Sequence, residues 1–129
     1  MSGVSELSRE ELKVLRELAG SLLDELFGPS FTVTIEFHIT EEGKNLFEKA
    51  VEKPKETYDK LLDFFKNEVT LKMMMQIVDK RISKKQARTK GVMQSLIEAM
   101  KRDDKEGVVR ALRELLVYLT QGAGLLSKI

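Results

Sequence analysis

The chain has no cysteine, no tryptophan, one histidine and two prolines, and its only asparagines are Asn45 and Asn67. Each scarcity excludes something. Without cysteine there are no disulfides, no thiol nucleophile and no thiolate metal site. The same absence fits a reducing compartment, so the expected location is cytoplasmic. A lone histidine, His38, is poor metal chemistry. No glycine-rich phosphate loop is present, and no serine has a base in view. Neither a metal nor a cofactor is therefore expected, and the chain does not read as an enzyme. No apolar run approaches the roughly 20 residues of a membrane-spanning helix. The opening MSGVSELSREELK lacks a basic region followed by an apolar one, so no secretory signal is expected. Few asparagines and no cysteine, beside many Glu, Lys and Arg, lean toward the composition of thermophile proteins.

What is present is a strongly charged globular composition. Of 129 residues, 42% are apolar and 33% charged. This predicts a single domain over residues 1–129, large enough to bury a core without cross-links. The net charge of +1 hides a division. Residues 1–68 carry 9 Lys/Arg and 15 Asp/Glu, a net of −6, and residues 69–129 carry 13 and 6, a net of +7. Such asymmetry implies an acidic partner for the second half, or pairing between the halves.

Periodicity predicts about six helices. Ser8 and Glu11 have capping-box spacing, and Leu12, Leu15, Ala19, Leu22 and Leu26 recur at helical steps until Gly28-Pro29. Thr40, with Glu41 and Glu42, is the expected cap of a second helix carrying Leu46, Phe47, Ala50 and Val51. Pro54 breaks the chain before a third, with Tyr58, Leu61, Leu62 and Phe65 on one face. Residues 69–82, VTLKMMMQIVDKRI, are apolar over most of the circumference and predict an innermost, central helix. Only Lys72, Gln76 and Asp79 make a polar strip there. Capping boxes at Ser83–Gln86 and Asp103–Glu106 open two last amphipathic helices, an antiparallel hairpin. An apolar tail, residues 123–129, follows.

One stretch changes period. In FTVTIEFHIT, residues 31–40, Phe31, Val33, Ile35, Phe37 and Ile39 alternate with Thr32, Thr34, Glu36, His38 and Thr40. Period two in β-branched and aromatic residues predicts a strand. No second strand is evident, and a lone strand leaves backbone groups unpaired. The expectation is a homodimer or higher oligomer in which the strand pairs with its own copy through Phe31, Val33, Ile35, Phe37 and Ile39. A short hidden strand in the same chain is the alternative. A strand, then a helix entered through Thr40-Glu41-Glu42, then a break and a second helix resembles the ribbon-helix-helix DNA-binding fold over residues 31–67. The resemblance is one of pattern rather than motif. It implies a strand-paired dimer whose outward residues, Thr32, Thr34, Glu36 and His38, face the major groove.

Three features carry chemistry. In residues 80–90, Lys80, Arg81, Lys84, Lys85, Arg88 and Lys90 stand without an acid among them. Beside an expected helix N-terminus they suit phosphate contact, hence nucleic acid or an acidic surface; a solvated basic loop is the plainer reading. His38 and Glu36, two residues apart on the polar face of the expected strand, could be imagined as a metal or acid–base pair, but one histidine and no cysteine is poor metal chemistry, so no catalytic or ligand role is expected. Met73, Met74 and Met75, with Met93 and Met100, suit either core filling or an adaptable groove for an apolar helix or small ligand. The leading expectation is a non-enzymatic helical interaction module, an adaptor or assembly subunit, that binds an unidentified protein and itself. The alternative is a nucleic-acid-binding protein using residues 80–90.

Overall fold

The computed structural model describes residues 7–40, 44–83 and 91–122. Among them every regular element is an α-helix: α1 (Arg9–Phe27), α2 (Phe31–Thr40), α3 (Leu46–Glu52), α4 (Pro54–Phe65), α5 (Glu68–Ser83), α6 (Val92–Lys101) and α7 (Lys105–Gly122). Six of the seven answer to expected helices. The seventh, α2, occupies the segment expected to be a strand.

That correction has a physical cause. The buried residues of α2 are Thr32, Ile35, Glu36, Ile39 and Thr40, a helical face at steps of three and four. Each polar member has a partner. The Thr32 hydroxyl donates to the Gly20 carbonyl at 3.2 Å, and the Thr40 hydroxyl donates to the Glu36 carbonyl at 2.8 Å. Glu36, 6% exposed, receives a two-pronged guanidinium from Arg16 at 2.8 and 2.9 Å. With these groups satisfied, the helix closes its own backbone ladder, which a lone strand cannot do. Glycine at 20 leaves room for the Arg16 side chain on its way to Glu36: a Cβ there would meet the Arg16 guanidinium, while it would lie in ordinary contact, 3.5 Å, with the Thr32 methyl of α2. The five residues expected at a dimer seam are split accordingly. Ile35 and Ile39 enter this chain's own core, Phe31 is half-buried, and Val33 and Phe37 face solvent. The strand-paired dimer and the ribbon-helix-helix resemblance both fall with the strand.

The centre of the bundle is α6, not α5. α6 packs against α4, α5 and α7. Val92, Met93, Leu96, Ile97, Ala99 and Met100, six of its ten residues, are buried. α5 buries only one side, Leu71, Met75, Val78 and Ile82, and leaves Val69, Met73 and Ile77 outside. The expected hairpin of α6 and α7 is present. Its turn is a Schellman closure, in which the Asp104 amide donates to the Ala99 carbonyl and the Asp103 amide to that of Met100. Asp103 takes the left-handed position usually given to glycine, at φ 57°. α7 then buries Val108, Ala111, Leu112 and Leu115.

The helix starts are of two kinds. α1 begins with the expected Ser8–Glu11 capping box, both bonds made. Locally capped too are α3, by Asn45 rather than Thr40, α5, by Asn67, and α7, by Asp104 rather than Asp103. Thr40 is instead the last residue of α2, and Ser83 the last of α5. At α2, α4 and α6, and beside Asn45 at α3, an acid from another element supplies an acceptor. Asp24 of α1 takes the Thr32 amide at the start of α2. Glu36 of α2 takes the Leu46 amide of α3 at 2.7 Å. Asp103, beyond α6, takes the Lys55 amide of α4, where Pro54 fills the first turn. Asp79 of α5 takes the Met93 and Gln94 amides of α6. These borrowed caps fix the angles at which helices meet, since each joins a helix end to another element's side.

Candidate functional site

The acidic and basic halves pair with each other. Arg81 meets Glu25 at 2.6 Å, Lys101 meets Glu68 at 2.9 Å, and Arg113 meets Glu11 at 3.6 Å. Much of the sequence-level asymmetry is thus internal complementarity. Of the six basic residues expected at a nucleic-acid contact, Lys80 and Arg81 lie in the last turn of α5, where positive charge suits the helix dipole. Lys84, Lys85, Arg88 and Lys90 lie outside the described residues, as does the tail at 123–129.

His38 and Glu36 are not brought together. Glu36 turns inward to Arg16, whereas the His38 Nε2 lies 3.0 Å from the exposed Asp63 carboxylate. The His38 ring stands edge-on to Phe64 at 5.3 Å. Among the described residues no group of His, Cys, Asp and Glu could hold a metal ion, and no helix is long and apolar enough to cross a membrane.

Asp79, expected on a polar outer strip, is 8% exposed. Its carboxylate caps the first turn of α6 through the Met93 amide at 2.8 Å and the Gln94 amide at 3.3 Å. Gly91 precedes them in the left-handed region, at φ 73°, and a Cβ there would lie 3.3 Å from the Asp79 carboxylate. Burial pushes the Asp79 pKa above its ordinary value, and the two amide hydrogen bonds partly oppose it. This acid acts as a cap for α6. A second junction joins α4, α5 and α6. There the Tyr58 hydroxyl and the Lys101 ammonium both donate to Glu68, at 3.0 and 2.9 Å. Burial, then the bond to Glu68, raise the Tyr58 pKa; the bonds from Lys101, then Tyr58, lower that of Glu68.

The methionines divide into two settings. Met75, Met93 and Met100 point inward and line a cavity of about 60 Å³. Phe31 and Ile35 of α2 and Phe65 of α4 line it as well, and further walls come from α1 and α3. Thr57 is the one polar side chain on the wall, and its hydroxyl is already donated to the Lys53 carbonyl at 2.8 Å. Met73 faces the other way. With Val69 and Ile77 it forms a straight outward stripe on α5, the three side chains 66%, 57% and 45% exposed in the order Val69, Met73, Ile77. Steps of four residues keep them on one side of the helix over about 12 Å. Lys72 and Lys80, both exposed, stand alongside.

No protein family, curated protein or solved structure matches the chain.

Proposed function

We propose that the protein is a non-enzymatic helical interaction module that receives an amphipathic helix of a partner along the outward face of α5. The observation that carries this reading is the aligned exposure of Val69, Met73 and Ile77. Single exposed apolar residues are ordinary, as with Val117 on α7. Three in register on one helix are a seam of the kind a partner helix fills at steps of three and four. The buried acids Glu36 and Asp79 serve as helix caps, which supports a binding role over catalysis.

The test is site-specific photo-crosslinking in the native cells, with benzoylphenylalanine at position 73 and, as control, at the exposed Glu17 of α1. The expected result is a discrete adduct from position 73 that is absent from position 17 and lost when Val69 and Ile77 are also changed to lysine. An adduct of twice the chain mass identifies the partner as a second copy. An adduct with nucleic acid, abolished by added salt, supports contact through the basic segment instead. Equal labelling from both positions contradicts the proposal.

A further inference from the structure

The half-open apolar pocket lies apart from the outward face of α5, with Met75 of the same helix on its wall. Water needs two to four polar partners to be held inside a protein, and this wall offers none: its side chains are hydrocarbon or thioether apart from Thr57, whose hydroxyl is bonded to Lys53. At about 60 Å³ the space nevertheless exceeds the roughly 10–15 Å³ that one water requires. Ordinarily such a void shrinks as its neighbours relax inward. Here the helices around it are tied end to side. Glu36 holds α3 to α2, Asp79 holds α6 to α5, and Asp103 holds the start of α4 to the α6–α7 turn. These bonds oppose collapse from three directions. The methionines on the wall, Met75, Met93 and Met100, each have several rotatable bonds and a polarisable sulfur, so they adjust to a guest without moving a helix. The half-buried rings of Phe31 and Phe65, with centroids 6.4 Å apart, stand where the lining still meets solvent.

We propose that this cavity is a binding site for a small saturated hydrocarbon group, on the scale of a xenon atom or a few methylenes. The guest is either a free apolar molecule or the end of a longer alkyl chain. An aromatic ring is too large: a cavity that accepts benzene has about 150 Å³, and this one has about 60 Å³. A charged or hydrogen-bonding guest would find no partner on the wall and would lose its hydration.

The experiment uses the full chain with ¹³C-methyl methionine, read by two-dimensional NMR under xenon pressure and separately with decanoate below its micelle concentration. Xenon is expected to produce saturable shifts at Met75, Met93 and Met100, several-fold larger than at the exposed Met73. Decanoate shifting the same three methyls identifies a chain end as guest, and xenon acting alone identifies a small free molecule. Ala50→Leu, which adds a side chain to the cavity wall, should abolish the shifts, and Ala50→Val serves if the leucine variant does not fold. Unsaturable shifts of equal size at Met73 and the three inner methionines overturn the proposal. So do the absence of any shift in wild type and a response unchanged by filling the cavity.

Discussion

In α2 the buried carboxylate, Glu36, faces a guanidinium that grips both its oxygens and an amide besides. In α5 the buried carboxylate, Asp79, faces two amides. Both helices also carry apolar residues outside, Val33 and Phe37 on α2 and Val69, Met73 and Ile77 on α5. In α2, hydropathy alone misplaces the inward side; in α5 the larger apolar side is the inward one. α2 is oriented by its polar bonds, which bring Thr32, Glu36 and Thr40 inside and turn Val33 and Phe37 out. α5 is oriented by its larger apolar side, with Leu71, Met75, Val78 and Ile82 in the core, and its outward stripe remains over. The lesson is that α2 exposes Val33 and Phe37 while burying three bonded polar residues, whereas α5 buries one polar residue, Asp79, beside a full apolar side and still leaves three apolar residues outside. That difference is why the functional proposal rests on α5.

The comparison can be broken most severely at the core side of α5. Val78→Asp would place an unpaired charge at a site 2% exposed, which costs several kcal/mol and is expected to unfold a typical domain. Circular dichroism decides this, and a soluble variant with unchanged melting would show that α5 is not anchored there.

Next in size is Arg16→Met. It leaves Glu36 buried without its cation and should cost about 3 kcal/mol in urea unfolding. Adding Glu36→Leu should recover part of the loss, because well-packed apolar pairs often replace buried ion pairs without penalty, while the Leu46 amide at the start of α3 loses its acceptor. No recovery in the double variant would mean that α2 is held by something other than this pair.

Asp79→Asn should cost less, about 1 kcal/mol at neutral pH, because one acceptor remains for the amides of α6. Its dependence on pH separates the two acids. Burial raises the Asp79 pKa in the folded state. The native state therefore binds this proton more readily than the unfolded chain, and stability falls as pH rises from the unfolded value through the folded one. Relative to Asp79→Asn, wild type should gain stability as pH is lowered from about 7 toward about 4, near the ordinary aspartate value. A difference between the two proteins that stays flat across this range would show that Asp79 is not desolvated. The smallest effect belongs to the outer stripe. Lysine at Val69, Met73 or Ile77 should change stability by no more than about 0.5 kcal/mol each, as for surface positions without special contacts. A larger loss by thermal melting would place those residues in the core.

The parts legible in the sequence are those whose partners are close in sequence. The Ser8–Glu11 box, the Pro54 start of α4 and the stripe of α7 follow from spacing within one turn or one helix. α2 was not legible because the same ten residues satisfy two periods. Ile35 and Ile39 belong to the alternating set and also to the helical face, and the choice is made by Arg16 and Gly20 on another helix. Asp79 looked like surface because its partners, the Met93 and Gln94 amides, lie in the next helix. The methionines were legible as a group but not their directions. Spacing made Val69, Met73 and Ile77 one side of an apolar helix, and only the placement of α4 and α6 shows which side is covered. Of the basic segment, the structure locates Lys80 and Arg81 alone.

The central claim is that the stripe on α5 is a contact surface and not a spare piece of core. Its most direct measurement combines Val69→Lys, Met73→Lys and Ile77→Lys in one chain and follows melting beside photo-crosslinking in cells from an unaltered neighbour, Lys72. The account predicts a melting transition little changed from wild type and loss of the crosslinked adduct. A protein that unfolds, or one that keeps its adduct at wild-type yield, would contradict it.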